Sequence, residues 1–151
     1  MVAIDGSDTS MKAARYGISL AKKFNSDLVA VTVIDLTSLP YAYFLTEPGT
    51  RSHDKMLEEK KSEVRKWLDE VESLMLAGST TPESHEIRIR SEIIEDPFSK
   101  VDAAIVQYAE SENIDLIVVG SKGRSAFKRI LIGSVASGVL SYARCPVMIA
   151  R

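Results

Sequence analysis

Apolar and polar positions follow two different periods along the chain. Five short runs rich in β-branched residues predict strands at residues 1–4, 28–34, 85–94, 115–119 and 146–150. Between these runs, apolar residues recur every three or four positions, which predicts helices at about residues 8–24, 54–76, 97–112 and 134–142. This alternation predicts a single three-layer α/β domain, in which helices cover both faces of a doubly wound, mainly parallel five-stranded sheet.

Local signals define several boundaries of these elements. Ser7 or Asp8 can cap the first helix, and the polar residues 25–27 end it. Asp96-Pro97 has the order of a helix start, with a cap followed by proline in the first turn. Only four residues precede Asp5, which is short for a central strand, so we expect a few residues to precede Met1 in the natural chain.

Residues 36–53 fit neither period. They contain Pro40 and Pro48 with Tyr41, Tyr43 and Phe44 nearby, and form a longer irregular segment than most connections in a compact domain. We expect a variable loop here. Its aromatic residues are compatible with a lid over a ligand or with a dimer contact.

Composition narrows the classes of function. The chain has 151 residues and a net charge of −2, and this balance predicts no nucleic-acid partner. No apolar run is long enough to span a bilayer, and the N-terminus lacks the pattern of a signal peptide. The single cysteine, Cys145, excludes an internal disulfide and fits a reducing compartment. We therefore expect a cytoplasmic protein without a membrane partner.

The segment from Gly120 to Ser134 carries the most informative chemistry. Gly120 and Gly123 permit a tight turn and a close approach of the backbone to a ligand. Gly133-Ser134 begins a helix, whose unpaired N–H groups favour an anion, and Lys122 and Arg124 could neutralise phosphate charge.

Taken alone, this glycine pattern has two interpretations. The glycines could hold phosphates, or they could merely shape the connection between a strand and a helix. The two standard phosphate-binding signatures, Gly-x-x-x-x-Gly-Lys-Ser/Thr and Gly-x-Gly-x-x-Gly, are both absent. Asp5 is similarly open, because Asp-Gly is a common turn pair as well as a possible ligand-binding pair.

A family resemblance bears on this choice. The pattern Gly120-x2-Gly123-x9-Gly133-Ser134 follows a DLIVVG strand and precedes a helix ending in Ala-Arg-Cys-Pro-Val. The opening VAIDGSDTS and the second strand VTVID complete a set of three segments in the order typical of the universal stress protein family. The chain resembles that family over essentially its whole length, apart from residues 36–53. The resemblance implies a Rossmann-like fold of the adenine nucleotide alpha hydrolase type, with strand order 3-2-1-4-5.

The resemblance also implies an ATP site. Asp5 would accept hydrogen bonds from the ribose, Ala3 would lie beside the nucleotide, and the backbone of Val33 would meet the adenine edge. Val119 and Gly120 would flank the ribose. The phosphates would be held by a larger group: Gly123, Gly133, Ser134 and the Val135 amide, with Ser7, Lys122 and Arg124 included in the site. Family members often have proline where this chain has Ala3, which affects the adenine side of the pocket.

Catalysis has little support in these residues. No acidic residue in the glycine loop is placed to hold Mg²⁺, although Ser134, Asp5 and water could assist a phosphate-bound ion. We expect an ATP-binding module of the stress-response kind, with no catalytic residues, that acts on an unidentified protein partner. The alternatives are a slow ATPase using the same pocket and a structural dimer that does not use nucleotide.

The last strand predicts the oligomeric state. Residues 146–150 are apolar and lie at a predicted sheet edge, where unpaired backbone groups invite another chain. The resemblance implies a homodimer through this strand, with Val147 and Ile149 near the two-fold axis. His53 and His85 show no metal-ligand spacing. Cys145 is expected to be a small buried hydrophobe, and Trp67 to pack in or beside the core.

Overall fold

The computed structural model describes residues 1–35, 48–77, 88–95, 100–124 and 131–151. The strands in this part of the chain are β1 (Val2–Ala3), β2 (Leu28–Val33), β3 (Ile89–Ile94), β4 (Ile117–Gly120) and β5 (Val147–Ala150). The helices are α1 (Asp8–Phe24), α2 (Arg51–Leu76), α3 (Val101–Ser111) and α4 (Ser134–Tyr142).

The five strands form one sheet in the order β3-β2-β1-β4-β5, and every neighbouring pair is parallel. β1 lies at the centre, with Val2 opposite Ala30 on one side and Val118 on the other. The chain order therefore reverses at β1, which is where open α/β sheets bind ligands beyond the carboxyl ends of their strands. This topology confirms the predicted fold class.

Alternate residues of the strands face two separate cores. Leu28, Ala30 and Val118 lie in a core with α1 and α2, whereas Val31 and Val119 lie in a core with α3 and α4. Because side chains of a strand point alternately to opposite faces, a sheet covered on both sides needs apolar residues at nearly every position. All of β2 except Val33 is buried, as its continuous apolar sequence predicts.

The ends of α1 follow from local chemistry. Ser7 is its N-cap, and the Ser7 hydroxyl oxygen accepts a hydrogen bond from the Ser10 N–H at 3.2 Å. Asn25 ends the helix in the left-handed conformation with φ of 52°, a conformation that asparagine tolerates better than most residues. Both ends agree with the predicted boundaries.

Other boundaries differ from the prediction. α2 begins at Arg51, three residues before the predicted start at Asp54, so residues 51–53 belong to the helix and not to the predicted loop. β3 begins at Ile89, and Arg88 precedes it outside the strand. The predicted helix start at Asp96-Pro97, the aromatic residues at 41–44 and His85 lie outside the described residues. No helix in the described ranges is long and apolar enough to cross a membrane.

Candidate functional site

A cavity of about 640 Å³ opens at the carboxyl ends of the central strands. The β1–α1 turn, the end of β2, the segment after β4 and the start of α4 all contribute to its walls. Eleven of the twelve sequence-predicted site residues line it: Ala3, Asp5, Val33, Val119, Gly120, Lys122, Gly123, Arg124, Gly133, Ser134 and Val135. The topology thus brings together residues that lie up to 132 positions apart, from Ala3 to Val135.

Ser7 is the predicted residue that does not line the cavity. Its backbone N–H and its hydroxyl both donate to Asp5 Oδ1, at 3.0 and 2.6 Å. The same hydroxyl oxygen caps α1. Ser7 therefore orients the Asp5 carboxylate and begins the helix, instead of facing the cavity itself.

Asp5 links the first turn of the chain to the segment after β4. Its second carboxylate oxygen, Oδ2, accepts a hydrogen bond from the Arg124 N–H at 3.2 Å. A carboxylate offers about four acceptor positions on its two oxygens, and the protein uses three of them here. Asp5 is thus held in place and still able to accept from a ligand hydroxyl.

Two glycines, one ending β4 and one shortly after it, are required by close packing. A Cβ at Gly120 would stand 2.7 Å from the Ser10 nitrogen, because β4 ends directly against the first turn of α1. A Cβ at Gly123 would stand 2.9 Å from Asp5 Oδ2. The Thr9 hydroxyl donates a hydrogen bond to the Lys122 carbonyl and anchors the segment between these two glycines.

The beginning of α4 presents backbone donors to the cavity. Gly133 is the N-cap and has no side chain with which to satisfy the first-turn N–H groups of the helix. Ser134, Val135 and Ala136 all line the cavity. The Gly133 N–H donates to the Ser121 carbonyl at 2.7 Å, which holds the start of α4 against the β4 segment. Such a helix start favours an anion through its N–H groups and its dipole.

One wall of the cavity is apolar. Val33 and Val119 come from the sheet, and Val101 and Ile105 come from α3. These side chains leave few polar partners for a ligand on that side, so the wall suits a flat, weakly polar ring system. The cavity therefore combines an apolar side with an anion-favouring side.

The contribution of α2 to the cavity was not predicted from the sequence. Lys60, Val64 and Trp67 line the cavity from this helix. Trp67 packs on the β1–α1 turn, where a Cβ at Gly6 would lie closer than 3.0 Å to three atoms of the indole. Their spacing along α2 shows that they share one face, but core packing also explains such spacing. The sequence of α2 did not indicate that this face lies beside residues 3–5 and 119–135.

A charged cluster stands beside Trp67. The two carboxylate oxygens of Glu63 accept from different cations, Oε2 from Lys60 Nζ at 3.0 Å and Oε1 from Arg124 at 2.8 Å. Both cations also lie near the indole ring, at 6.0 Å for Lys60 and 5.1 Å for Arg124. The hydrogen bond from Lys60, with a further one from Arg124, lowers the pKa of Glu63 below its usual value. We call Lys60, Glu63, Trp67 and Arg124 the α2 cluster.

Other sequence candidates lie outside this site. Cys145 is half-buried beside the α3–α4 core, so the prediction that it is a buried hydrophobe was only partly right. Trp67 packs beside the α1–α2 core, as predicted, and it also lines the cavity. Within the described residues, no group of three His, Cys, Asp or Glu side chains could hold a metal ion. β5 is an edge strand, and its Val147 and Ile149 are half-buried.

Comparisons with known proteins agree with this architecture. The model of the Universal stress protein family matches residues 1–151. Universal stress protein MJ0531 of Methanocaldococcus jannaschii is 32% identical over 152 residues, covering 100% of this chain and 80% of that protein. The structure of the universal stress protein UspA from Lactobacillus plantarum superposes with a TM-score of 0.79 at 22% identity, covering 99% of this chain and 94% of that one. A universal stress protein in complex with cAMP superposes with a TM-score of 0.69 at 24% identity, covering 99% and 94%.

Proposed function

The chain belongs to the universal stress protein family, and we propose that it binds ATP in the cavity at the carboxyl ends of β1, β2 and β4. The protein would act as a binding module, in which nucleotide occupancy changes its contacts with a partner protein. The observation that carries it is the pairing of an apolar wall with an anion-favouring helix start in one cavity of about 640 Å³. That volume lies within the range of about 300–1,000 Å³ typical of small-molecule sites.

Each part of an adenine nucleotide has a matching part of the cavity. The adenine would lie against the apolar wall, with its edge at the backbone of Val33. The ribose hydroxyls would donate to Asp5, which retains acceptor capacity. The α4 amides and the Ser134 hydroxyl would bind the phosphates, close to Gly123 and Lys122. The cAMP-bound relative supports an adenine nucleotide as the class of ligand.

The site favours binding over catalysis. Phosphoryl transfer needs metal ligands and a group that orients the attacking water or hydroxyl. Asp5 lies beside Gly123 in the cavity, and three protein hydrogen bonds already hold its carboxylate. A magnesium ion would therefore be held chiefly by phosphate oxygens and water, with the Ser134 hydroxyl available as a protein ligand.

Calorimetric titration and thermal unfolding with ATP, ADP, AMP and cAMP test this proposal. We expect saturable heat with one site per chain, and a melting temperature that rises with ligand concentration, because a ligand that binds only the folded state stabilises it. Neither heat nor protection at millimolar concentrations of all four nucleotides would reject the proposal. Steady ATP turnover faster than about 1 s⁻¹ would instead assign the protein to the enzymes.

A further inference from the structure

The α2 cluster is connected to the proposed phosphate site through adjacent backbone. A Cβ at Gly133 would stand 3.7 Å from the Gly123 nitrogen, so the start of α4 lies beside Gly123. Arg124 is the next residue in the chain, and its side chain reaches Glu63 on α2. Phosphates that extend beyond the first one therefore have a direct path from the α4 amides to the cations of the cluster.

The charges of the cluster are unevenly matched. Lys60 and Arg124 contribute two positive charges, and Glu63 contributes one negative charge shared between them. The Lys60 side chain is only 18% exposed, compared with 40% for Glu63 and 53% for Arg124. The cluster thus has a net positive charge at the cavity wall. Glu63, which partly neutralises this charge, is more exposed to solvent than Lys60.

A terminal phosphate is a stronger partner for these cations than Glu63. It carries more negative charge than a carboxylate and has three acceptor oxygens. One guanidinium group can also donate two parallel hydrogen bonds to a pair of phosphate oxygens. We infer that Lys60 and Arg124 form a side-chain subsite for the outer phosphates of a nucleotide, and that Glu63 competes with those phosphates for the two cations. This inference rests on the proposed nucleotide site and adds to it a means of distinguishing nucleotides by their number of phosphates.

The competition has a structural consequence. Glu63 joins α2 to the segment after β4 through its bond to Arg124, whereas its bond to Lys60 lies within α2. A phosphate that takes over Arg124 breaks this connection, whereas a monophosphate bound at the α4 amides leaves it intact. Trp67, which is the only tryptophan of the chain, lies near both cations and reports the change through its fluorescence.

Three variants of α2 separate the contributions. Glu63→Gln removes the competing charge while keeping the shape of the side chain. Lys60→Met removes one cation while keeping an unbranched apolar side chain. Glu70→Gln is the matched control, because it makes the same charge change on an exposed residue about two turns, or about 10 Å, further along the helix.

Affinities for AMP, ADP and ATP are measured by calorimetry for the wild type and each variant. We expect Glu63→Gln to bind ATP about fivefold more tightly, which corresponds to the upper range of exposed ion pairs, and AMP within about twofold of the wild type. Lys60→Met is expected to bind ATP about tenfold more weakly, since it loses a hydrogen bond to a charged group, with AMP again unchanged. Glu70→Gln should match the wild type for all three nucleotides.

Inorganic tripolyphosphate provides a second probe that lacks the base and ribose. We expect it to change Trp67 emission in the wild type, with a lower midpoint in Glu63→Gln and a higher one in Lys60→Met. The inference would be overturned if each variant changed the affinities for AMP and ATP equally and left the tripolyphosphate midpoints unchanged. That result would not contradict the proposed nucleotide site. A wild type that binds none of the nucleotides would instead reject the proposed function, and an unresponsive Trp67 would then reject the subsite as well.

Discussion

Replacing Gly123 by alanine tests how closely the glycine segment is fitted to Asp5. The new Cβ would stand 2.9 Å from Asp5 Oδ2, whereas nine in ten real Cβ contacts exceed 3.4 Å. The carboxylate would therefore have to retreat by about 0.5 Å to reach ordinary contact distance. Its hydrogen bond from the Arg124 N–H is already 3.2 Å long, at the upper end of the normal range, so this movement breaks it.

The energetic result follows from that single bond. A hydrogen bond to a charged acceptor contributes about 1.5–3 kcal/mol when buried, and this one is exposed to solvent, so we expect Gly123→Ala to lower the free energy of unfolding by about 1 kcal/mol. For a domain of this size the melting temperature falls by about 3 °C. ATP affinity is expected to fall about tenfold, equivalent to 1.4 kcal/mol, because Asp5 and the phosphate-facing backbone are displaced together.

Urea unfolding followed by Trp67 fluorescence measures the first effect, and calorimetry with ATP measures the second. Gly17→Ala is the matched control, since a Cβ at Gly17 in α1 finds no neighbour nearer than 3.5 Å. Wild-type ATP affinity in Gly123→Ala would refute the reasoning. So would an equal loss of affinity in Gly17→Ala, because the effect would then not come from the site.

Three further predictions concern stability and assembly. Gly6→Ala should lower the free energy of unfolding by about 2–4 kcal/mol, because Gly6 has φ of 76° and the new Cβ would overlap Trp67. Gly17→Ala should instead raise the free energy of unfolding by about 0.5–1 kcal/mol, because its Cβ would make only ordinary contacts within a helix. Urea titration measures both changes. Because the pKa of Glu63 is lowered in the folded state, its ion pairs stabilise the fold above pH 4.5 and are lost as the pH falls through the folded-state pKa. In urea titrations from pH 7 to pH 3, we therefore expect Glu63→Gln to lose less stability than the wild type. The difference in the free energy of unfolding should be less than about 1 kcal/mol, because the pairs are partly exposed. Light scattering should give twice the chain mass of 16.6 kDa at tens of micromolar, since β5 is an edge strand, and a monomer would count against a dimer through residues 146–150.

The chain order of apolar runs predicted most of the fold, because parallel strands buried on both faces have a distinctive sequence. β2 and β4 are nearly continuous apolar runs. β2 appears where it was expected, and β4 begins at Ile117, two residues after the predicted start. Ends of elements were harder to predict. α2 begins at Arg51 directly after Thr50, a residue type favoured at helix starts, but this signal stands within the Pro- and Gly-containing segment predicted as a loop. The start of β3 at Ile89 depends on which residues pair with β2.

Some residues of the candidate site could also be predicted from the sequence, and others could not. Asp5 and the segment from Gly120 to Ser134 were recognisable because turn glycines and a helix start have sequence signatures that the fold then brings together. Lys60 and Trp67 had no such signature. On an amphipathic helix, a lysine suggests solvent and a tryptophan suggests core, and only the packing of α2 against the β1–α1 turn places both beside the cavity.

We propose that the segment from Gly120 to Ser134 holds the phosphates of an adenine nucleotide. The most direct test of this proposal is a titration of ¹⁵N-labelled protein with ATP, followed through the backbone amide resonances of the glycines. We expect the resonances of Gly120, Gly123 and Gly133 to shift in a saturable way, while that of Gly17, on α1 away from the cavity, stays in place. Unmoved resonances for Gly123 and Gly133 at saturating ATP would contradict it.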